Sequence, residues 1–117
     1  MQTILFLDDF RFPQNVFPRA FCRENQFTVC RTVSEAWQAV RNGRHYDMWS
    51  LDHDMLPIMQ KEGEDHLYPP SGYAFLLMVQ INITLVHWPK GQVFVHSANP
   101  WGAERMRKVI AEIDNEI

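Results

Sequence analysis

The sequence has few cysteines, no long apolar run and no strong excess of charge of either sign. Only Cys22 and Cys30 occur, and they are not a close-spaced pair. That argues against a disulfide framework, and reduced thiols in the cytoplasm are the expectation. Residues 1–7 are too short, and lack the flanks, to read as a secretory signal. No stretch approaches the roughly 20 apolar residues of a membrane-spanning helix. The most apolar one, Tyr73 to Val86, is broken by Gln80, Asn82 and Thr84. With 11 basic and 14 acidic residues the net charge is −3. A duplex-binding protein carries a broad basic face, so neither duplex nucleic acid nor membrane is expected as a partner. A small phosphate or nucleotide ligand needs only local positive charge and stays open. There is no P-loop, dinucleotide glycine pattern, zinc spacing or nucleophile elbow.

What is present fits one domain over residues 1–117, with 46% hydrophobic residues to build a single core. Thr3 to Leu7 is a short continuous apolar run, the pattern of a strand buried on both faces. Residues 15–24 predict a short helix with Pro18 near its first turn. Phe27 to Thr32 reads as a second strand. A helix follows with Ser34 as its N-cap and Gly43 as its stop. Tyr46 to Leu51 is the third strand and Gly91 to Val95 the fourth. Between them lie a long loop over 55–71 and a helix over Gly72 to Val86. A last helix starts near Gly102, its apolar stripe made by Met106, Val109, Ile110 and Ile113. Strands alternating with helices imply an α/β fold with a parallel sheet and right-handed crossovers.

Three of the four strands stop at polar clusters: Asp8-Asp9, Asp52-His53-Asp54 and His96-Ser97-Ala98-Asn99. In parallel sheets ligands bind beyond the carboxyl ends of the strands. Adjacent carboxylates at a sheet edge repel and lose hydration, and a hard divalent cation relieves both. Asp8, Asp9, Asp52 and Asp54 are therefore candidate ligands for Mg2+ or Mn2+, with Asp52 and Asp54 on one side if the extended chain continues. His96 and His53 are candidates for moving protons, and a covalent route through Asp52 is conceivable. Arg11, Ser97 and Asn99 are candidates for holding phosphate oxygens, although Arg11 can instead pair with an aspartate and Asn99 can cap the last helix. His45 in a turn and His66 in the long loop are expected to be solvated. Trp101 either stacks on a base or packs under the last helix.

An acidic pair after strand one, an aspartate after strand three and a small hydroxyl residue after strand four resemble the receiver domains of response regulators. Here these are Asp8 and Asp9, Asp52 and Ser97. The resemblance implies a three-layer, flavodoxin-like parallel sheet of about four strands in the order 2-1-3-4, with helices on both faces. It also implies Mg2+ binding by the acids and phosphoryl acceptance at Asp52. No counterpart of that family's fifth strand, with its lysine, follows Glu104. A divergent branch described as cyclic-phosphate processing is more similar. Its pattern is matched by Leu7-Asp8-Asp9-Phe10-Arg11-Phe12-Pro13, Ser50-Leu51-Asp52-His53-Asp54, Gly72 and His96-Ser97-Ala98-Asn99. That resemblance implies a metal-dependent phosphoesterase acting on a cyclic nucleotide or a 2′,3′-cyclic RNA end. The alternative is a non-catalytic, receiver-like domain that signals or binds a phosphorylated ligand. A small stand-alone domain would also suit a phage protein acting on a host nucleotide signal. An uncovered edge at strand four predicts a homodimer.

Overall fold

The computed structural model describes residues 1–54 and 71–117. Its four strands are β1 (Thr3–Leu7), β2 (Gln26–Cys30), β3 (Met48–Leu51) and β4 (Val93–Val95). They form one parallel sheet in the order β2-β1-β3-β4. The helices are α1 (Arg19–Glu24), α2 (Val33–Val40), α3 (Gly72–Ile81) and α4 (Pro100–Glu116), with short 3-10 turns at Pro13–Asn15 and Ile83–Leu85. This is the expected doubly wound α/β architecture. The long loop expected over 55–71, with His66, lies outside the described residues except for Ser71.

The two faces of the sheet differ. Leu5, Leu7, Cys30, Trp49, Leu51 and Val93 join Ala36 and Val40 of α2, Phe75, Leu76 and Val79 of α3, and Met106, Val109, Ile110 and Ile113 of α4 in one apolar cluster. Fully burying each large side chain of this kind contributes roughly 1.5–3 kcal/mol. The alternate strand residues turn the other way. There Phe6 meets Phe17 and Phe27, and these meet Phe21 of α1. Polar side chains enter on this second face: Ser50 is 1% exposed in the middle of β3.

Several element ends differ from expectation, each for a local reason. Helix α2 is capped by Thr32, not Ser34. The Thr32 hydroxyl accepts from Glu35 N–H, and the Glu35 carboxylate accepts from Arg31 N–H, which satisfies two donors at once. Pro18 stands at the N-cap of α1, because the preceding residues are taken by the 3-10 turn. Helix α3 stops at Ile81, where the Asn82 side chain bonds the Met78 carbonyl. Helix α4 starts at Pro100, two residues before Gly102, because the Asn99 side chain caps it by accepting from Gly102 N–H.

Candidate functional site

The parallel register aligns the site. Leu7 pairs with Cys30 and with Leu51, and Leu51 with Val95. The next residue of each strand, Asp8, Arg31, Asp52 and His96, therefore lies in one row at the carboxyl edge. Ladder hydrogen bonds continue into that row. The N–H of Asp8 donates to the Cys30 carbonyl (3.1 Å), that of Asp52 to Leu7 (2.8 Å) and that of His96 to Leu51 (2.9 Å).

Asp8 is fully buried and its carboxylate is saturated. Oδ1 accepts from the backbone N–H groups of Phe10 (3.0 Å) and Arg11 (2.9 Å). Oδ2 accepts from Arg11 Nε (2.9 Å) and lies 3.0 Å from His96 Nε2. Burial alone would raise the Asp8 pKa, but these donors and the Arg11 charge together bring it below the usual carboxylate value. Asp52 is 2% exposed and differently provided. Oδ1 accepts from His53 N–H (2.8 Å) and stands 3.2 Å from an Arg11 terminal nitrogen. Burial and the neighbouring Asp8 charge raise its pKa, and Arg11 does not offset them.

Arg11 thus spans the two carboxylates, with its side chain 26% exposed on their solvent side. Arg31 holds the loop beneath it by donating to the carbonyls of Asp8 and Arg11. Asp9 completes the acidic group. One oxygen each of Asp8, Asp9 and Asp52 lies within 4.8 Å of the others. Three carboxylates so gathered fit a hard divalent cation.

His96 lies behind the carboxylates instead of facing solvent. Its ring stacks on Phe6 at 4.7 Å, and its side chain is 7% exposed. Both nitrogens are engaged: Nε2 with Asp8, and Nδ1 with the Ser50 hydroxyl at 2.6 Å. Burial lowers its pKa more than Asp8 raises it, which favours the neutral ring. Neutral imidazole next to an ionised Asp8 assigns the proton to Nε2 and makes Nδ1 the acceptor of the Ser50 O–H.

After Asp52 the extended path ends, and Asp54 leaves the acidic group. His53 Nδ1 lies 2.9 Å from Asp54 Oδ1, and Asn99 Nδ2 donates to the same oxygen at 3.1 Å. These bonds lower the Asp54 pKa. Strand β3 ends at Leu51, so the extended geometry that would align Asp54 with Asp52 is not kept, and Asp54 stands outside the three-carboxylate group. Two glycines admit this path. A Cβ on Gly72 would fall 1.9 Å from the Asp52 carbonyl oxygen, and one on Gly102 2.3 Å from the His53 ring.

Asn99 is committed at both ends of its amide, to α4 and to Asp54. The Ser97 Oγ accepts from Asn99 N–H at 3.0 Å, which leaves its own proton to donate. Trp101 does not pack under α4; it is 80% exposed, as are Phe10 at 67% and Phe12 at 56%. Phe10 and Phe12 follow β1 and Trp101 lies in the first turn of α4; Arg31 stands over one face of the Phe12 ring, and the exposed faces are ones on which a base could stack. His45, which precedes the start of β3, is largely exposed, with its ring 4.3 Å from that of His87.

Ser50 and Arg31 also support the site, through His96 and through the carbonyls of Asp8 and Arg11. A lone polar residue inside an otherwise apolar strand was the available signal for Ser50. Arg31 carried none, because its place in the row depends on pairing between β1 and β2.

A family model described as the cyclic-phosphate processing receiver domain matches residues 3–112. Among solved structures the chain is similar to the receiver domain of the Francisella response regulator 1452. That match has 16% identity and a TM-score of 0.60, and covers 99% of this chain and 93% of that one. At this identity it shows the fold. No curated protein matches the chain.

Proposed function

The chain belongs to the family of cyclic-phosphate processing receiver domains, and on that premise we propose that it is a metal-dependent phosphoesterase that opens a cyclic phosphate. The observation that carries this reading is the gathering of Asp8, Asp9 and Asp52 oxygens within 4.8 Å at the carboxyl edge, beside Arg11. The exposed Phe10, Phe12 and Trp101 favour a substrate with bases, either a cyclic nucleotide or a 2′,3′-cyclic RNA end.

In the reaction, water adds to phosphorus and one ring P–O bond breaks, leaving a phosphomonoester and a hydroxyl. Held by Asp8, Asp9 and Asp52, Mg2+ or Mn2+ would neutralise charge on the phosphoryl oxygens. Arg11 and the Ser97 hydroxyl hold non-bridging oxygens. His53, oriented by Asp54, takes a proton from the attacking water and returns one to the leaving oxygen. Asn99 steadies Asp54. His96 is a positioning residue: it fixes the Asp8 carboxylate from behind. The free thiols of Cys22 and Cys30 suit a reducing compartment such as the cytoplasm.

The test is incubation with a panel of cyclic nucleotides and 2′,3′-cyclic oligonucleotides in Mg2+ or Mn2+, with phosphomonoester as the readout. Turnover lost in D52N and reduced about a hundredfold in H53Q is expected. Absence of turnover on every substrate would sink the proposal. A second reading, a non-catalytic phosphate-responsive domain, is favoured by Arg11, which already partly neutralises Asp8 and Asp52. Stable acyl phosphate at Asp52 after treatment with a small phosphodonor, without turnover of cyclic phosphates, would select it.

A further inference from the structure

The four hydrogen bonds to Asp8 limit what else it can hold. An ionised carboxylate offers about four lone-pair positions, two on each oxygen. In Asp8 all four are used: two by backbone N–H groups, one by His96 and one by Arg11 Nε. The backbone donors are fixed by the turn after β1. His96 is held in place by Phe6 and Ser50. Only the Arg11 guanidinium, which faces solvent at the end of a flexible stem, can leave. Asp52 has a different balance: Oδ1 carries His53 N–H and Arg11, while no hydrogen bond to Oδ2 is found among the described residues.

We propose that Arg11 and a divalent cation are alternative occupants of the same Asp8 oxygen, and that a phosphate group receives the guanidinium when the cation displaces it. This inference rests on the metal-dependent reading above. A guanidinium fork matches two phosphoryl oxygens as well as it matches two carboxylates. Without phosphate, releasing Arg11 leaves it with water alone, and the cation must compete with it. With phosphate present, the displaced fork gains a partner equal to the one it lost. Cation and phosphate therefore bind cooperatively through Arg11, and the coupling is reciprocal. The device keeps the acidic group partly neutralised at rest and favours loading of the cation together with its substrate.

The test measures Mn2+ binding from the paramagnetic resonance signal of the free ion, with and without inorganic phosphate, for the unaltered protein, R11Q and R11K. Without phosphate, R11Q should bind Mn2+ at least tenfold more tightly than the unaltered protein. R11K, whose ammonium reaches one carboxylate but does not span both, should fall between them. Phosphate should tighten Mn2+ binding severalfold in the unaltered protein and leave R11Q unchanged. Equal or weaker Mn2+ binding by R11Q, or the same effect of phosphate on both proteins, overturns the inference and leaves the phosphoesterase reading standing. Lack of Mn2+ binding by all three proteins overturns the metal-dependent reading, and this inference with it. Circular dichroism reports folding; if R11Q is unfolded, R11K decides, and affinity equal to that of the unaltered protein overturns the inference.

Discussion

Asp8, at the end of β1, and Asp52, at the end of β3, are nearly inaccessible, at 0% and 2% exposure. Their neighbouring strands are paired in register, and both carboxylates touch Arg11. Yet the Asp8 pKa is lowered and the Asp52 pKa is raised. Desolvation pushes both upward, so burial does not separate them. The number of donors does. Asp8 sits at the start of a turn that aims two backbone N–H groups at it, and His96 adds a third partner. Asp52 receives one backbone N–H and faces the Asp8 charge. The β1 end thus stabilises a fixed anion, while at the β3 end fewer donors among the described residues meet the Asp52 carboxylate, the kind of imbalance that perturbs the pKa values of functional groups.

The sharpest test of that contrast is the pair D8N and D52N. Asp8→Asn breaks a buried charged network and should cost about 3–5 kcal/mol in urea unfolding. Asp52→Asn removes a charge that burial disfavours, so stability should change by less than ~1 kcal/mol or rise, while cyclic-phosphate turnover is lost. Similar stability losses in both variants would abolish the distinction.

Next in size is Gly72→Ala. Its Cβ would overlap the Asp52 carbonyl, so the β3 end must shift, at about 3 kcal/mol by thermal unfolding. A neutral effect would mean that this end is looser than its contacts indicate.

The pH dependence separates the two ends again. Asp8 and His96 have lowered pKa values, so their contributions are present above their unfolded values of 3.8 and 6.5 and are lost as pH falls through the folded ones. Asp52, raised, contributes fully below 3.8 and loses that contribution as pH rises through its folded value. Stability should therefore fall as pH drops below 6.5, by at most ~1.4 kcal/mol per unit for the one histidine, and H96Q should flatten that limb. An unchanged slope in H96Q would exclude His96 as its source. Smallest is Ser50→Ala, which removes the bond to His96 Nδ1 and should cost about 1 kcal/mol. It should leave D8N no less destabilising than before. Separately, a homodimer through the β4 edge, where Phe94 is 46% exposed, predicts twice the chain mass in sedimentation; a monomer at high concentration would refute it.

The strands and the polar stops were legible because both are local. A run such as Thr3 to Leu7 reads as buried, and Asp8-Asp9 at its end reads as a site whatever the rest of the chain does. The strand order was legible through the resemblance. Helix caps were harder, since Thr32, Ser34 and Asn99 are all competent, and the choice rests on which N–H groups each hydroxyl or amide meets. The role of His96 was not legible. Placing it behind Asp8, with Ser50 on its other nitrogen, requires β4 and β1 to be positioned on either side of β3. Asp54 could not be separated from Asp52 either, because that depends on where β3 stops and on Asn99 drawing Asp54 toward α4.

By itself the sequence determined the alternation of strands and helices, and that three strand ends would bring carboxylates, histidines and a serine to one edge. Apolar periodicity and short polar clusters suffice for that. Only the tertiary structure decided that Asp8 is saturated while Asp52 meets fewer donors among the described residues. Charge state depends on donors that the chain brings from far away, as with His96 and Asp8, 88 residues apart and 3.0 Å from one another.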